Sequence, residues 1–97
     1  MQLFYIPCKD KHEAKTIATK ILKQKLIFCA NIIANVESYF LDDEEIESAS
    51  EAILILKASN NKSDQVRLTV NNEHSYQIPA IISFDAEANS EFAKLVL

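Results

Sequence analysis

The sequence predicts an α+β fold whose elements follow the order strand–helix–strand–strand–helix–strand, with a short closing helix. Three observations carry this prediction: a long alternating hairpin from Cys29 to Lys57, an amphipathic helix before it and an apolar strand near the end of the chain. Two helices in this order can cover one face of a single sheet. We therefore expect residues 1–97 to form one two-layer domain.

The composition excludes several classes of function. A net charge of −4 and a single arginine, Arg67, disfavour binding to nucleic acids or to an anionic membrane surface. No apolar run approaches the ~20 residues of a membrane span. The chain contains no glycine, so it has neither a P-loop nor a Rossmann phosphate-binding motif. The commonest nucleotide-binding signatures are therefore absent.

The N-terminal segment MQLFYIPCKD bears on the cellular location and on the state of the cysteines. It lacks the basic start and the small-residue cleavage site of a signal peptide. We therefore expect a cytoplasmic protein. In that compartment the two cysteines, Cys8 and Cys29, are expected to be free thiols.

The first strand and the first helix have clear local signals. The apolar segment Leu3–Pro7 predicts a strand, and Asp10 followed three residues later by Glu13 resembles a capping box. Apolar residues then recur at helical spacing, namely Ala14, Ile17, Ala18, Ile21, Leu22 and Leu26. Because lysines occupy the opposite side, this segment is the clearest amphipathic helix of the chain.

The hairpin has two long arms with an acidic tip, Asp42–Glu45, between them. Each arm would reach roughly 40 Å at ~3.3 Å per residue. Alternation places one apolar set on one face: Ala30, Ile32, Ala34, Val36, Phe40, Ala52, Leu54 and Leu56. The opposite face carries Ile33, Tyr39, Leu41, Ile53 and Ile55. Helices on one side would leave this second set in water, so we expect another chain to cover it.

Residues 59–73 fit two patterns. Val66 and Val70 can face inward from a helix, whereas Val66, Leu68 and Val70 also alternate as they would in a strand. The pattern alone leaves both possibilities open. Topology favours the helix, because a second helix completes the cover of one sheet face.

The last third of the chain predicts one strand and one short helix. Tyr76–Phe84 alternates in the manner of a strand. Pro79 cannot donate a ladder hydrogen bond, which restricts its part of the strand to an edge or an irregular position. Ser90–Val96 predicts the closing helix.

Three short segments occur in a characteristic order: LIFCANII after the first helix, SEAILILKA in the second hairpin arm and HSYQIPAI before the last strand. Together they resemble the CutA family, small proteins linked to divalent-cation tolerance. The resemblance spans nearly the whole chain and implies a ferredoxin-like βαββαβ sandwich with a long hairpin between its second and third strands. It also implies a homotrimer with hairpins that pair between subunits, and a role in divalent-ion, chiefly copper, tolerance.

The resemblance also implies which residues matter. Cys29 falls on the family's cysteine and His74 on its histidine. Further matching positions, interpreted as cleft residues or their neighbours, are Glu51, Lys57, Tyr76 and Pro79. Two positions depart from the family pattern. The tip reads Leu41–Glu44 where an aromatic residue and glycine are common, and Ser75 follows the histidine where proline is common.

Cys29 and His74 are the candidate metal ligands. Thiolate and imidazole suit soft or borderline ions such as copper and zinc. Two residues do not complete a zinc site, so further ligands would come from Glu51, from water or from a neighbouring subunit. The residue pattern by itself favours the alternative, a packed free cysteine and an interface histidine.

Two other arrangements are weaker candidates for chemistry. Cys8 and His12 lie four residues apart, but across a strand-to-helix turn rather than on one helix face. The acidic run Asp42–Glu47 lacks the spacing and the glycine of a calcium loop, and we interpret it as a solvated tip. Serine, histidine and acidic residues show no triad arrangement, so we expect no enzymatic activity.

Three functions are compatible with these observations. The leading hypothesis is a cytoplasmic homotrimer that binds a copper or zinc ion and belongs to the divalent-cation tolerance type. A trimeric small-molecule sensor, with ligand clefts between subunits, is the second. A structural trimer that scaffolds another protein, with no physiological metal, is the third.

Overall fold

The computed structural model describes residues 1–96 and contains a four-stranded antiparallel sheet. The elements in chain order are β1 (Gln2–Cys8), α1 (Lys11–Lys23), β2 (Cys29–Asp42), β3 (Glu45–Ala58), α2 (Ser63–Glu73), β4 (Ile82–Asp85) and α3 (Ser90–Val96). A short 3₁₀ turn, Asn60–Lys62, precedes α2. The strands lie in the order β2-β3-β1-β4. The predicted ferredoxin-like α+β order with a long hairpin and a short closing helix is confirmed.

α1 begins where the capping signal predicts it, but it ends at Lys23, so Leu26 of the predicted apolar set lies beyond the helix. The Asp10 carboxylate accepts a hydrogen bond from the Glu13 backbone N–H at 2.8 Å, which satisfies a donor of the first turn. One face of the helix packs on the sheet. The core there includes Phe4, Ile6, Ala14, Ile17, Ile21, Leu54, Leu56, Val66 and Val70. We call this side of the sheet the helix-covered face and the opposite side the open face.

Residues 63–73 form the helix that topology favoured over a strand. Val66 and Val70 are fully buried, whereas Leu68 is exposed, which is the pattern of a helix and not of a strand. The alternation of these three residues is therefore a coincidence of spacing. Within residues 1–96, no helix has both the length and the apolar character needed to cross a membrane.

β2 carries a bulge. The register steps from the pair Ile33 and Ile53 to the pair Val36 and Glu51, so two residues of β2 oppose one residue of β3. Asn35, inside the bulge, has φ 58°, a left-handed backbone conformation. Asparagine tolerates this conformation better than most side chains do, and the chain has no glycine to take its place.

The bulge corrects the predicted faces of the hairpin. Val36 and Phe40 were expected beside Ile32 on the helix-covered face, but the register places them on the open face. Tyr39 and Leu41 change to the other face for the same reason. One extra residue shifts the alternation of everything that follows it, because side chains in a strand have a period of two.

The hairpin turn is tighter than the predicted tip. Asp42 pairs with Glu45, so the turn itself consists of Asp43 and Glu44. Asp43 has φ 56°, as tight hairpin turns require of their first central residue. Every residue from 42 to 47 is exposed, in agreement with a solvated acidic tip.

The last strand is shorter than predicted. Strand pairing is limited to Ile82–Asp85, which lies beside the first half of β1, whereas residues 76–81 are irregular. Two prolines explain the difference, because Pro79 and Pro7 of the facing β1 segment both lack a backbone N–H for a ladder. The closing helix, Ser90–Val96, has the predicted bounds.

The open face carries a row of partly exposed apolar side chains. The register places Tyr5, Ile33, Phe40, Ile82 and Phe84 on this face, and each is between 40% and 51% exposed. Only part of each side chain is covered by its neighbours in the sheet. The second apolar face that the sequence predicted therefore exists, although its membership differs.

The distal half of the hairpin is exposed on its other side as well. Tyr39, Leu41 and Ile46 are 66% to 74% exposed. The molecule measures 46 × 24 × 21 Å, an elongated shape for a chain of 97 residues. The hairpin thus extends apolar side chains beyond the part of the sheet that the helices cover.

Candidate functional site

Three chemically active side chains converge where β1 ends, α1 begins and α2 ends. Cys8 is the last residue of β1, Glu13 lies in the first turn of α1, and His74 caps the end of α2. Their sulfur, oxygen and nitrogen ligand atoms all lie within 4.8 Å of one another. All three residues are buried. We call this group the Cys8–Glu13–His74 cluster.

Glu13 holds two chain segments together through its carboxylate. One oxygen accepts the backbone N–H of Lys9 at 3.0 Å, and the other accepts the backbone N–H of Ser75 at 2.9 Å. Burial alone would raise the pKa of Glu13, but the hydrogen bonds from Ser75 and Lys9 lower the pKa below its ordinary value. The cluster therefore contains a charged carboxylate at neutral pH.

The hydrogen bonds of His74 define its tautomer. Its Nε2 lies 2.7 Å from the carbonyl oxygen of Pro7, which can only accept, so Nε2 carries a proton. Its Nδ1 accepts the backbone N–H of Tyr76 at 3.1 Å, so Nδ1 carries none. The ring is therefore a neutral imidazole with both nitrogens engaged. Its side chain is completely buried.

Cys8 contributes a protonated thiol. The residue is fully buried, and its sulfur donates to the carbonyl oxygen of Ile6 at 3.7 Å. Burial, followed by the negative charges of Glu13 and Glu51, raises the pKa of the Cys8 thiol to about 12. A metal ion that binds the sulfur must therefore displace a firmly held proton.

Tyr76 links the cluster to the hairpin. Its hydroxyl donates to the Glu51 carboxylate on β3 at 2.6 Å, and its ring lies 4.7 Å, centroid to centroid, from the ring of His74. Burial and then the Glu51 carboxylate raise the pKa of the Tyr76 phenol above its ordinary value. Glu51 and Tyr76, both predicted cleft residues, are thus brought beside His74.

The structure does not bring Cys29 and His74 together within one chain. Cys29 pairs with Lys57 at one end of the sheet, whereas Pro7, which contacts His74, pairs with Ile53. Lys57 and Ile53 lie four residues apart on β3, which separates the two ends by about 13 Å. A metal site that uses both predicted ligands would therefore need two copies of the chain.

Sequence reasoning missed two members of the cluster. Cys8 was considered only with His12, which is exposed on α1, and Glu13 was considered only as a helix cap. The burial of Cys8 could have been predicted from the alternation of side chains in β1, because Cys8 lies on the same face as Phe4 and Ile6. Glu13 had no comparable signal, since its contact with Ser75 joins residues 62 positions apart. Both cysteines are free thiols, as predicted.

The donor atoms of the cluster fit a soft or borderline ion. Thiolate, imidazole and carboxylate are the ligands of zinc sites, and thiolate with imidazole also suits copper. The cluster is nevertheless complete without an ion, because no buried side-chain nitrogen or oxygen in residues 1–96 lacks a hydrogen-bond partner. A metal ion would exchange hydrogen bonds for coordination and would not fill an unsatisfied cage.

These features define a class of protein: a ferredoxin-like domain with an overlong hairpin and a thiol–imidazole–carboxylate cluster at one end of the sheet. The family model for the CutA1 divalent ion tolerance protein matches residues 2–96. The chain therefore belongs to the CutA1 divalent ion tolerance family.

Two solved structures show the likeness in three dimensions. The CutA1 divalent ion tolerance protein of Ehrlichia chaffeensis has a TM-score of 0.95 and 33% identity, with 98% of this chain and 90% of that chain covered. The periplasmic divalent cation tolerance protein CutA of Archaeoglobus fulgidus has a TM-score of 0.91 and 34% identity, with coverage of 99% and 95%. Among curated proteins, the chloroplastic CutA protein of Arabidopsis thaliana is 28% identical over 87 residues. This match covers 90% of the present chain but 48% of that relative.

The expected cytoplasmic location is contradicted by these relatives. One solved neighbour is named periplasmic and two curated relatives are named chloroplastic. The expectation rested on the missing features of a signal peptide in the first residues. Those features concern export of one chain, whereas the same folded domain occurs in proteins of several compartments.

Proposed function

We propose that this protein binds a soft or borderline divalent metal ion and acts in divalent-cation, chiefly copper, tolerance. The observation that carries the proposal is the buried Cys8–Glu13–His74 cluster, which brings three ligand types within 4.8 Å. This donor set suits copper and zinc better than magnesium or calcium, which prefer oxygen ligands. Membership in a divalent ion tolerance family supports the same function.

Each residue of the cluster has a distinct part in this proposal. Cys8 would provide a thiolate after it loses its proton, and His74 would provide a ring nitrogen. Glu13 would provide a carboxylate oxygen, because each of its oxygens accepts only one backbone hydrogen bond and keeps a further lone pair. The negative charge of Glu13 would offset the charge of the ion in a buried environment. The proposal includes no catalytic step.

Cys29 lies outside the proposed cluster and could share an ion with His74 only through a second copy of the chain. Its distance from His74 within one chain excludes a shared ion there. It lies on the open face beside Lys57, whose ammonium group donates to the Asn31 side chain. An ion bound by Cys29 and His74 together would therefore lie between subunits.

The proposal extends to a homotrimer. Its support is the row of partly exposed apolar side chains on the open face and the apolar residues of the distal hairpin. Burial of such surface gives about 25 cal/mol per Å², so cover by other copies would stabilise each chain by several kcal/mol. The number three comes from the family resemblance, whereas the exposed rows support the association of copies.

A second candidate function rests on one cavity. A space of about 560 Å³ is lined by Met1, Ser59, Asn60, Asn61, Ala86, Glu87, Ala88, Ala93 and Val96. This volume is in the range of small-molecule sites, and the lining combines apolar surface with amide and carboxylate groups. The cavity lies within one chain and not between subunits, but it still favours a small-molecule-sensing function over a purely structural scaffold.

Metal titration of four variants tests the leading proposal. We expect the wild-type protein to bind zinc, and the Cys8→Ala and His74→Ala variants each to lose at least tenfold in affinity, as the loss of a ligand implies. His12→Ala is the matched control for the histidine, and Cys29→Ala for the cysteine. Isothermal titration calorimetry measures all five proteins. Unchanged zinc binding in both cluster variants would refute the proposed site.

A further inference from the structure

His74 cannot bind a metal ion while it keeps its present hydrogen bonds. Nδ1 has one lone pair, which already accepts the Tyr76 backbone N–H. An ion at Nδ1 displaces that N–H directly. An ion at Nε2 requires the ring proton to move to Nδ1, where it would face the Tyr76 N–H, a second donor. Either route therefore breaks the bond between Tyr76 and His74.

Ser75 and Tyr76 contact both the cluster and the hairpin. Ser75 donates its backbone N–H to Glu13, and Tyr76 donates its backbone N–H to His74. The Tyr76 hydroxyl binds Glu51 on β3, on the strand that forms half of the hairpin. These two residues lie in the irregular segment 75–81, which has no strand ladder to hold it. We call Ser75–Tyr76 the latch.

We propose that metal binding opens this latch, so that the ion releases Tyr76 from His74 and from Glu51. The proposal rests on the proposed function, because it takes the Cys8–Glu13–His74 cluster as the metal site. Binding and latch closure oppose each other, so whatever weakens the closed latch must tighten metal binding by the same factor. Metal binding would thereby change the hydrogen bonding of Glu51 and so affect the hairpin strand β3.

A matched pair of tyrosine variants tests the latch. Tyr76→Phe removes the hydroxyl bond to Glu51, and Tyr39→Phe removes the corresponding bond to Glu37 in the distal hairpin. A hydrogen bond to a charged group contributes enough to stability that we expect Tyr76→Phe to bind zinc about tenfold more tightly. Tyr39→Phe should bind zinc as the wild-type protein does, because its bond lies away from the cluster.

Nuclear magnetic resonance supplies a second readout that does not depend on affinity. Without zinc, the His74 ring nitrogens should show the tautomer protonated at Nε2, and the Tyr76 amide should be protected from hydrogen exchange. Saturation with zinc should abolish the protection of the Tyr76 amide. The core amide of Leu54 serves as the internal control and should remain protected, since it belongs to the sheet.

The outcomes separate the latch from the site. The latch is refuted if zinc binding needs Cys8 and His74, yet the Tyr76 amide stays protected and Tyr76→Phe has the wild-type affinity. Zinc binding that is unaffected by Cys8→Ala and His74→Ala would instead refute the proposed function, and the latch would fall with it. A tighter Tyr76→Phe variant with a deprotected Tyr76 amide supports both.

Discussion

The two ends of the molecule satisfy their side chains in opposite ways. At the cluster end, Glu13, His74 and Tyr76 find hydrogen-bond partners within the same chain. At the hairpin end, apolar side chains such as Phe40 and Leu41 remain half or more exposed. The polar groups of the cluster end thus have partners within one chain, whereas the apolar side chains of the hairpin end stay largely exposed in one chain.

This difference follows from the cost of burying each kind of group. A buried carboxylate needs hydrogen bonds immediately, so its partners must come from segments that fold with it. Exposure of an apolar side chain to water costs far less free energy, so its cover does not have to come from the same chain. We infer that the site was built from one chain and the association surface from several. Tyr76 and Glu51 connect the two regions.

A charged residue on the open face should prevent the hairpin ends of different copies from associating. We expect Phe84→Glu to prevent assembly, because Phe84 lies in the apolar row and is still 49% exposed in one chain. The variant should lose about 2 kcal/mol or more of association free energy per chain, because the apolar surface of Phe84 is no longer buried between copies. Sedimentation equilibrium at micromolar concentration would show a monomer mass.

The control for this variant is Leu68→Glu. Leu68 is 62% exposed but lies on α2, away from the open face. Its replacement should leave the mass of the assembly unchanged. If Phe84→Glu sediments like the wild-type protein, the open face is not the surface that copies share.

Removal of the Glu13 charge should weaken the cluster end and lower the stability of the protein, with a smaller effect than the open-face variant has on assembly. Glu13→Gln should destabilise the protein by about 1–3 kcal/mol at pH 7, because the amide replaces a charged, buried acceptor of two backbone N–H groups. The folded-state pKa of Glu13 is lowered, so its contribution is present above the ordinary carboxyl pKa and is lost as pH falls through the folded-state pKa. The gap between wild type and variant should therefore narrow in acid.

Urea unfolding at pH 7 and at pH 4 measures this gap. Asp64→Asn is the control, since the Asp64 carboxylate is fully exposed and its ion pair with Arg67 is at the surface. A difference between wild type and Glu13→Gln that stays constant or grows from pH 7 to pH 4 would contradict the assigned role of the charge.

The elements with local signals were predictable from the sequence. α1 has its cap and its apolar spacing within one short segment, and the hairpin arms alternate over many residues. The bulge at Asn35 was not predictable, because a single extra residue leaves no mark when no glycine is present. The length of β4 depended on Pro7 of a distant strand. A pattern among neighbouring residues cannot reveal a pairing between strands that lie far apart in the sequence.

The candidate site was predictable only in part. His74, Tyr76 and Glu51 were identified through the family resemblance, and the structure brings them together. Cys8 and Glu13 join them through contacts between residues far apart in the chain. A spacing argument cannot detect such a cluster, since its members come from the ends of three separate elements.

The most direct test of the account is cobalt(II) substitution, read by absorption spectroscopy. Cobalt(II) takes the place of zinc in such sites, and a thiolate ligand produces a charge-transfer band in the near ultraviolet. We predict this band, at one ion per chain, for the wild-type protein and for Cys29→Ala, and its loss in Cys8→Ala. A band that survives in Cys8→Ala but disappears in Cys29→Ala would contradict the account and would assign the metal to Cys29 instead.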